Sequence, residues 1–167
     1  PFANAGVMID RQVTTGVGAP QYSGKFQSLG DILLKEDKVP AEFFISQQEL
    51  KGWSYLKGSK KEKRTTKTGY EYNYSEGPVT FPDALDRASR TIVTGEGGRG
   101  ASRFKHVVET KSGKHRRLTP VELERLNQFP DNHTKEASDN KRAFFMGNAL
   151  VVGVVEKLGK SLADRAD

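Results

Sequence analysis

A chain of 167 residues without a single cysteine has room for one packed domain and excludes disulfides, thiolate metal sites and thiol nucleophiles. Its net charge of +6 is unevenly spread: residues 56–67 hold six basic groups against one acidic, and residues 87–117 nine against two. Cations gathered in two stretches suit a polyanion, most often nucleic acid. No apolar run reaches membrane-spanning length and no signal peptide is visible, so no membrane partner is expected. The first residue is Pro1 rather than a methionine, as expected of a fragment or a processed product.

Residues 1–21 mix Gly, Ala and Thr with short apolar pieces and predict irregular chain holding a short strand or hairpin. Ser28 with Asp31 three residues on starts a helical turn carrying Ile32, Leu33 and Leu34, which residues 37–40 break. Phe43, Phe44 and Ile45 supply core. Ser46 and Glu49 then outline a capping box over a helix at 47–56 that brings in Trp53 and Tyr55.

Residues 57–74 show no apolar period and read as a cationic loop. In a nucleic-acid reader, Lys60, Lys61, Lys63 and Arg64 would neutralise phosphates while Thr, Asn and Tyr offer hydrogen bonds. A solvated charged surface is the alternative. The β-branched run within residues 88–94 predicts a strand. Residues 95–100 match GxGxxG formally, but 101–105 make no crossover helix and Val107-Val108 reads as a second strand, which excludes a dinucleotide site. Strand, glycine loop and strand back predict a hairpin whose Gly97 and Gly98 let backbone approach a base edge or phosphate. Arg90, Thr91, Arg99, Ser102, Arg103 and Lys105 are its candidate DNA contacts. Arg99 and Arg103 suit bidentate contact with guanine. His106, His115 and His133 lack metal-ligand spacing, so no metal is expected.

Residues 115–131 specify a short helix most fully. Thr119 caps it, Pro120 suits its first turn and Glu122 stands where a capping-box acid reaches back. Leu118 and Leu123 form a hydrophobic staple, Arg116 and Arg117 sit at the entrance, and Pro130 ends the helix near Phe129. This order resembles the ninth conserved motif of the DNA cytosine-5 methyltransferases, Arg-x-Leu-Thr-Pro-x-Glu-x-x-Arg-Leu-x-x-Phe-Pro-Asp. Arg116, Leu118, Thr119, Pro120, Glu122, Arg125, Leu126, Phe129, Pro130 and Asp131 all fit it. The resemblance implies that Thr91-Ile92 with Gly97-Gly98 belongs to the family's target recognition domain. It also puts residues 57–74 at the place of that domain's other recognition loop.

Past a polar linker at 132–140, Asn148 is a candidate cap for a helix whose Val151, Val154, Val155, Leu158 and Leu162 form one stripe. The Asn132-His133-Thr134 triplet is discounted as a glycosylation acceptor in a bacterial intracellular protein. Gly147-Asn148-Ala149 before an apolar helix resembles the tenth family motif. That implies packing on a catalytic domain and places Asn148 and Ala149 at the S-adenosylmethionine pocket.

Cytosine-5 methylation in this family uses a Cys thiolate on ring carbon 6 of a flipped base. The sequence holds no Cys, no Pro-Cys-Gln, no Glu-Asn-Val, no Gln-x-Arg-x-Arg and no glycine-rich cofactor motif. The resemblance therefore implies the DNA-recognition part of a methyltransferase, inactive by itself. The expected class is α+β: a small, loop-rich mixed domain with short strands over 1–131. Residues 132–167 would be a linker and a C-terminal helix belonging to a Rossmann-like catalytic domain absent from this chain. Double-stranded DNA and an N-terminal catalytic half or subunit are the implied partners, with a second copy of the chain able to cover the helix stripe. A restriction-modification system in the bacterial cytoplasm is the implied setting. The alternative is a stand-alone, non-catalytic DNA-binding module.

Overall fold

The computed structural model describes residues 3–165. These form a small mixed domain of three antiparallel strand pairs and five α-helices. The expected N-terminal hairpin is present as β1 (Ala5–Ile9) and β2 (Gln12–Gly16). Asp10 and Arg11 both take positive φ in its two-residue turn, the geometry that matches strand twist. Every residue of both strands is exposed.

The helix start expected at Ser28 and the capping box expected at Ser46 both form. Ser28 caps α1 (Leu29–Ile32), with its amide donating to Asp31 at 2.8 Å, and Ser46 caps α2 (Gln47–Lys57), with its amide donating to Glu49 at 2.9 Å. Residues 57–74, expected to be a loop, are instead mostly a two-stranded ribbon: β3 (Lys60–Thr65) pairs with β4 (Glu71–Glu76) around a turn with Gly69 at φ 84°. The β-branched residues 88–94 are not a strand. They run as extended chain without a ladder and lead into a 3-10 turn, Thr94–Glu96. Val107-Val108 does lie in a strand, β5 (Val107–Glu109), but its partner is β6 (His115–Arg117), so the expected hairpin across the glycine loop does not exist.

Adjacent residues of β5 face opposite ways, and this strand separates two apolar clusters. Val108 joins Leu29, Ile32, Leu118, Leu123, Ala143 and Met146, while Val107 joins Ile45 and Trp53. Each such buried aliphatic contributes roughly 1.5–3 kcal/mol.

The helix of the ninth motif is α3 (Pro120–Leu126), capped by Thr119 and ending three residues before Phe129 because Gln128 turns left-handed at φ 62°. Leu118 and Leu123 are buried together as the staple requires. Glu122 is its hub. One carboxylate accepts from the Thr119 amide (2.7 Å) and hydroxyl (3.0 Å), the Leu34 amide (2.8 Å) and both Arg116 terminal nitrogens (2.9 and 2.7 Å). Arg125 grips Asp131 at 2.7 and 2.6 Å and donates to the Ile32 carbonyl at 2.9 Å. The motif's polar residues are thus the bolts between α3, α1 and β6.

The C-terminal segment departs from expectation. It contains α4 (Asp139–Asn148) before α5 (Val152–Ala163), and Asn148 closes α4 rather than capping α5. Arg142, Ala143 and Met146 of α4 are buried; no residue of α5 is. Glu124 holds this corner, accepting from Arg142 at 3.0 Å and from the Asn132 and Thr134 amides at 2.7 and 2.9 Å. Burial works against the Glu124 charge, but these bonds outweigh it and hold its carboxyl below the usual range.

Candidate nucleic-acid interface

Strand pairing sorts the cations of residues 60–64 by face. The register sets Lys60 opposite Glu76, Glu62 opposite Tyr74 and Arg64 opposite Tyr72. On this inner face the Lys60 ammonium lies 3.5 Å from Glu76 and 5.0 Å over the Tyr55 ring. Arg64 pairs with Glu62 at 3.2 Å and stacks on Tyr74 at 3.5 Å. The other face carries Lys61 opposite Ser75, Lys63 opposite Asn73 and Thr65 opposite Glu71, all six exposed. Of the four candidate phosphate contacts, Lys61 and Lys63 are open to a ligand, while Lys60 and Arg64 are committed to their neighbours.

The glycine loop shows the same division. Arg90 is bidentate to Asp83 (2.6 and 3.1 Å) and donates to the Phe104 and Lys105 carbonyls at 3.2 and 3.3 Å. Burial disfavours the Asp83 charge, yet Arg90 and the Val107 amide overcome that and hold its carboxyl below the ordinary range. Arg103 donates to the Leu56 and Gly58 carbonyls at 3.2 and 3.3 Å, to the Gly77 carbonyl, and to Glu76 at 2.7 Å. Four acceptors leave its guanidinium no free fork for guanine, contrary to the sequence expectation. Lys105 is buried and donates to the Gly98 and Gly100 carbonyls at 3.0 and 2.8 Å.

Arg117 reaches the same Gly98 carbonyl at 2.9 Å, bonds the Glu42 carbonyl and lies 4.9 Å over the Phe43 ring. Gly98 takes φ 80°, a left-handed conformation that favours glycine. A Cβ on Gly97 would come within 3.0 Å of the Asn140 Cα, and one on Gly147 would overlap the backbone of Val93 and Thr94. The loop is therefore pressed against α4 from two sides. A buried network that sequence reasoning missed secures its other end: His106 bonds Glu96 through its amide (3.1 Å) and Nδ1 (2.6 Å), with Ser89 3.0 Å from Nε2. Of the candidate contacts in this region, Thr91 and Arg99 remain exposed, and the half-buried Ser102 accepts from the Phe104 amide at 3.3 Å.

Thr91 and Ala149 line one cleft of about 630 Å³ together with Ile92, Asn127 and Met146. Asn148 is exposed, with its amide donating to the Phe144 carbonyl at 2.9 Å, and Ala149 packs on the core. Of these two residues, Ala149 lines the cleft and Asn148 does not. Among the described residues no cluster of metal-ligating side chains exists, and no helix is long and apolar enough to cross a membrane.

The family model of the C-5 cytosine-specific DNA methylases matches residues 18–164, and the chain belongs to that family. Over 161 residues it is 40% identical to the type II methyltransferase M.Sau3AI of Staphylococcus aureus, an alignment taking in 96% of this chain and 38% of that protein. The chain thus spans well under half the length of this relative. No solved structure matches it.

Proposed function

We propose that this chain is the sequence-recognition part of a DNA (cytosine-5)-methyltransferase. Residues 1–131 would hold duplex DNA, and residues 132–167 would join it to a catalytic domain that supplies the nucleophile and most of the S-adenosylmethionine pocket. The observation that carries this reading is the bridge made by Arg103. Its guanidinium bonds Glu76 and the Gly77 carbonyl at the root of the ribbon, fastening the glycine loop to β3–β4 as one unit. That unit presents Lys61, Lys63, Asn73, Thr91 and Arg99 to solvent. A two-stranded ribbon fits the major groove, where Lys and Arg meet phosphates and guanine edges. A restriction-modification system in the bacterial cytoplasm is the setting this role implies.

The exposed stripe of α5, with Val154, Val155, Leu158 and Leu162, fits a face that docks on the catalytic domain, or on a second copy when that domain is missing. A stand-alone DNA binder would have no use for it. The chain has no thiol to attack cytosine, so purified alone it is expected to bind duplex DNA without transferring labelled methyl groups. Mixing with the complementary N-terminal half is expected to restore transfer. Methyl transfer by the chain alone, or failure to bind any duplex, overturns the proposal. Lys61→Ala or Lys63→Ala should weaken all duplexes alike and lower the salt slope by about one. Arg99→Ala should cost roughly 1–3 kcal/mol on the preferred duplex and much less on others.

A further inference from the structure

Arg103 and Lys105 both turn inward and are held by the bonds described above, and between them stands Phe104 with 56% of its surface exposed. A single exposed phenyl is ordinary. The polar groups buried beneath it are not. The Phe104 carbonyl accepts from Arg90 at 3.2 Å and its amide donates to Ser102. The next carbonyl, of Lys105, accepts from Arg90 and from the ammonium of Lys57, a lysine only 1% exposed. Three cationic side chains, Lys57, Arg90 and Lys105, thus converge on carbonyls of residues 98–105, and a fourth, Arg103, ties this segment to the Leu56, Gly58 and Gly77 carbonyls, each at a desolvation penalty. Burial pulls the Lys57 ammonium down to about 8, which marks how far that penalty reaches. The effect is to fix the backbone that carries one exposed apolar ring. A ring on a slack loop loses entropy on binding; a ring on a clamped backbone has already lost it.

Resting on the DNA-recognition reading above, we propose that Phe104 is a stacking wedge, its ring pressing between adjacent base pairs of the bound duplex and partly unstacking that step. Arg90, Arg103, Lys105 and Lys57 act as positioning residues for it. The sequence pointed to the two cations as the DNA contacts and passed over the residue between them.

The test uses the 167-residue chain and a short duplex selected by that chain from a random pool. Each adenine is replaced in turn by 2-aminopurine, whose fluorescence rises when it is unstacked. The wild-type chain is expected to brighten the probe at one step. Phe104→Ala should abolish that signal and weaken binding about 5- to 100-fold, with an unchanged melting temperature, and Phe104→Trp should restore affinity. The proposal is overturned if Phe104→Ala keeps affinity and brightening, or if no probe position brightens with the wild type. If Phe104→Ala binds normally while Lys61→Ala and Lys63→Ala still weaken binding, the wedge falls and the recognition role stands. If the chain selects no duplex, both fall.

Discussion

Helices α3 and α5 invert the usual relation between apolar pattern and burial. α5 has twelve residues and a continuous stripe, yet none of it is buried, and Leu158 keeps 60% of its surface. α3 has seven residues and four of them are buried, two of these being glutamates. α3 is fixed by polar bonds that only its own neighbours can make: the Thr119 cap, the Glu122 hub, the Arg116 fork. α5 has no side-chain cap, and its stripe faces solvent. An apolar stripe tells that a face calls for cover; capping residues and ion partners nearby tell that the cover lies within the same fold.

The largest expected effect is at the hub. Glu122→Ala strips a buried arginine of its partner and should destabilise the chain by about 3–5 kcal/mol, read from urea unfolding. Replacing Arg116 by Met and Glu122 by Leu together should recover part of this loss, because no charge is then left unpaired. The remainder measures the capping box. Equal losses in the single and double variants would break the claim that the ion pair fixes α3.

Lys57 gives the next effect, with a defined pH dependence. Its folded-state value of about 8 lies below the ordinary 10.5, so the fold carries the full penalty below pH 8 and sheds it as pH climbs towards 10.5. Wild-type stability should rise across that window. Lys57→Met should stabilise at pH 7 by roughly 1–3 kcal/mol and show a flatter rise, in unfolding curves taken from pH 7 to 10. A steeper rise in the variant would contradict the sign.

Asn127→Ala leaves the buried Met146 carbonyl without its 2.8 Å donor and should cost about 1–2 kcal/mol by thermal unfolding. The smallest effect belongs to α5. Leu158→Lys should change unfolding free energy by less than about 0.5 kcal/mol, while abolishing concentration-dependent association in sedimentation. A large stability loss there would mean that the stripe is covered within this fold after all.

Legibility in the sequence followed the same line. The capping boxes at Ser28, Ser46 and Thr119 were readable because donor and acceptor lie three residues apart. The ribbon was missed because its alternation is among polar residues, although Tyr70, Tyr72 and Tyr74 at period two, just after a Thr68-Gly69 turn, did carry the signal. Residues 91–94 have strand propensity but no partner strand, and propensity without a ladder makes extended chain. The roles of Arg90, Arg103 and Lys105 depend on carbonyls brought from residues 56–58, 77 and 98–105 by tertiary folding. No local spacing separates an arginine that holds its own backbone from one that holds DNA.

The attachment of α5 makes it a lever. Its first turn is hydrogen-bonded to the residues just after α3, where the Val152 amide meets the Asn127 carbonyl at 3.0 Å and the Gly153 amide meets Gln128 at 2.9 Å, and farther along Lys157 lies 5.1 Å over the Tyr22 ring. The ten residues beyond that fulcrum extend about 15 Å, so a tilt of about ten degrees moves the far end by about 2.5 Å and the root hardly at all. Torque on the tip is resisted at Asn127. Its side chain holds the Met146 carbonyl, next to the glycine against which Val93 and Thr94 lie flush. Load applied at the stripe therefore bears on the backbone leading into the glycine loop.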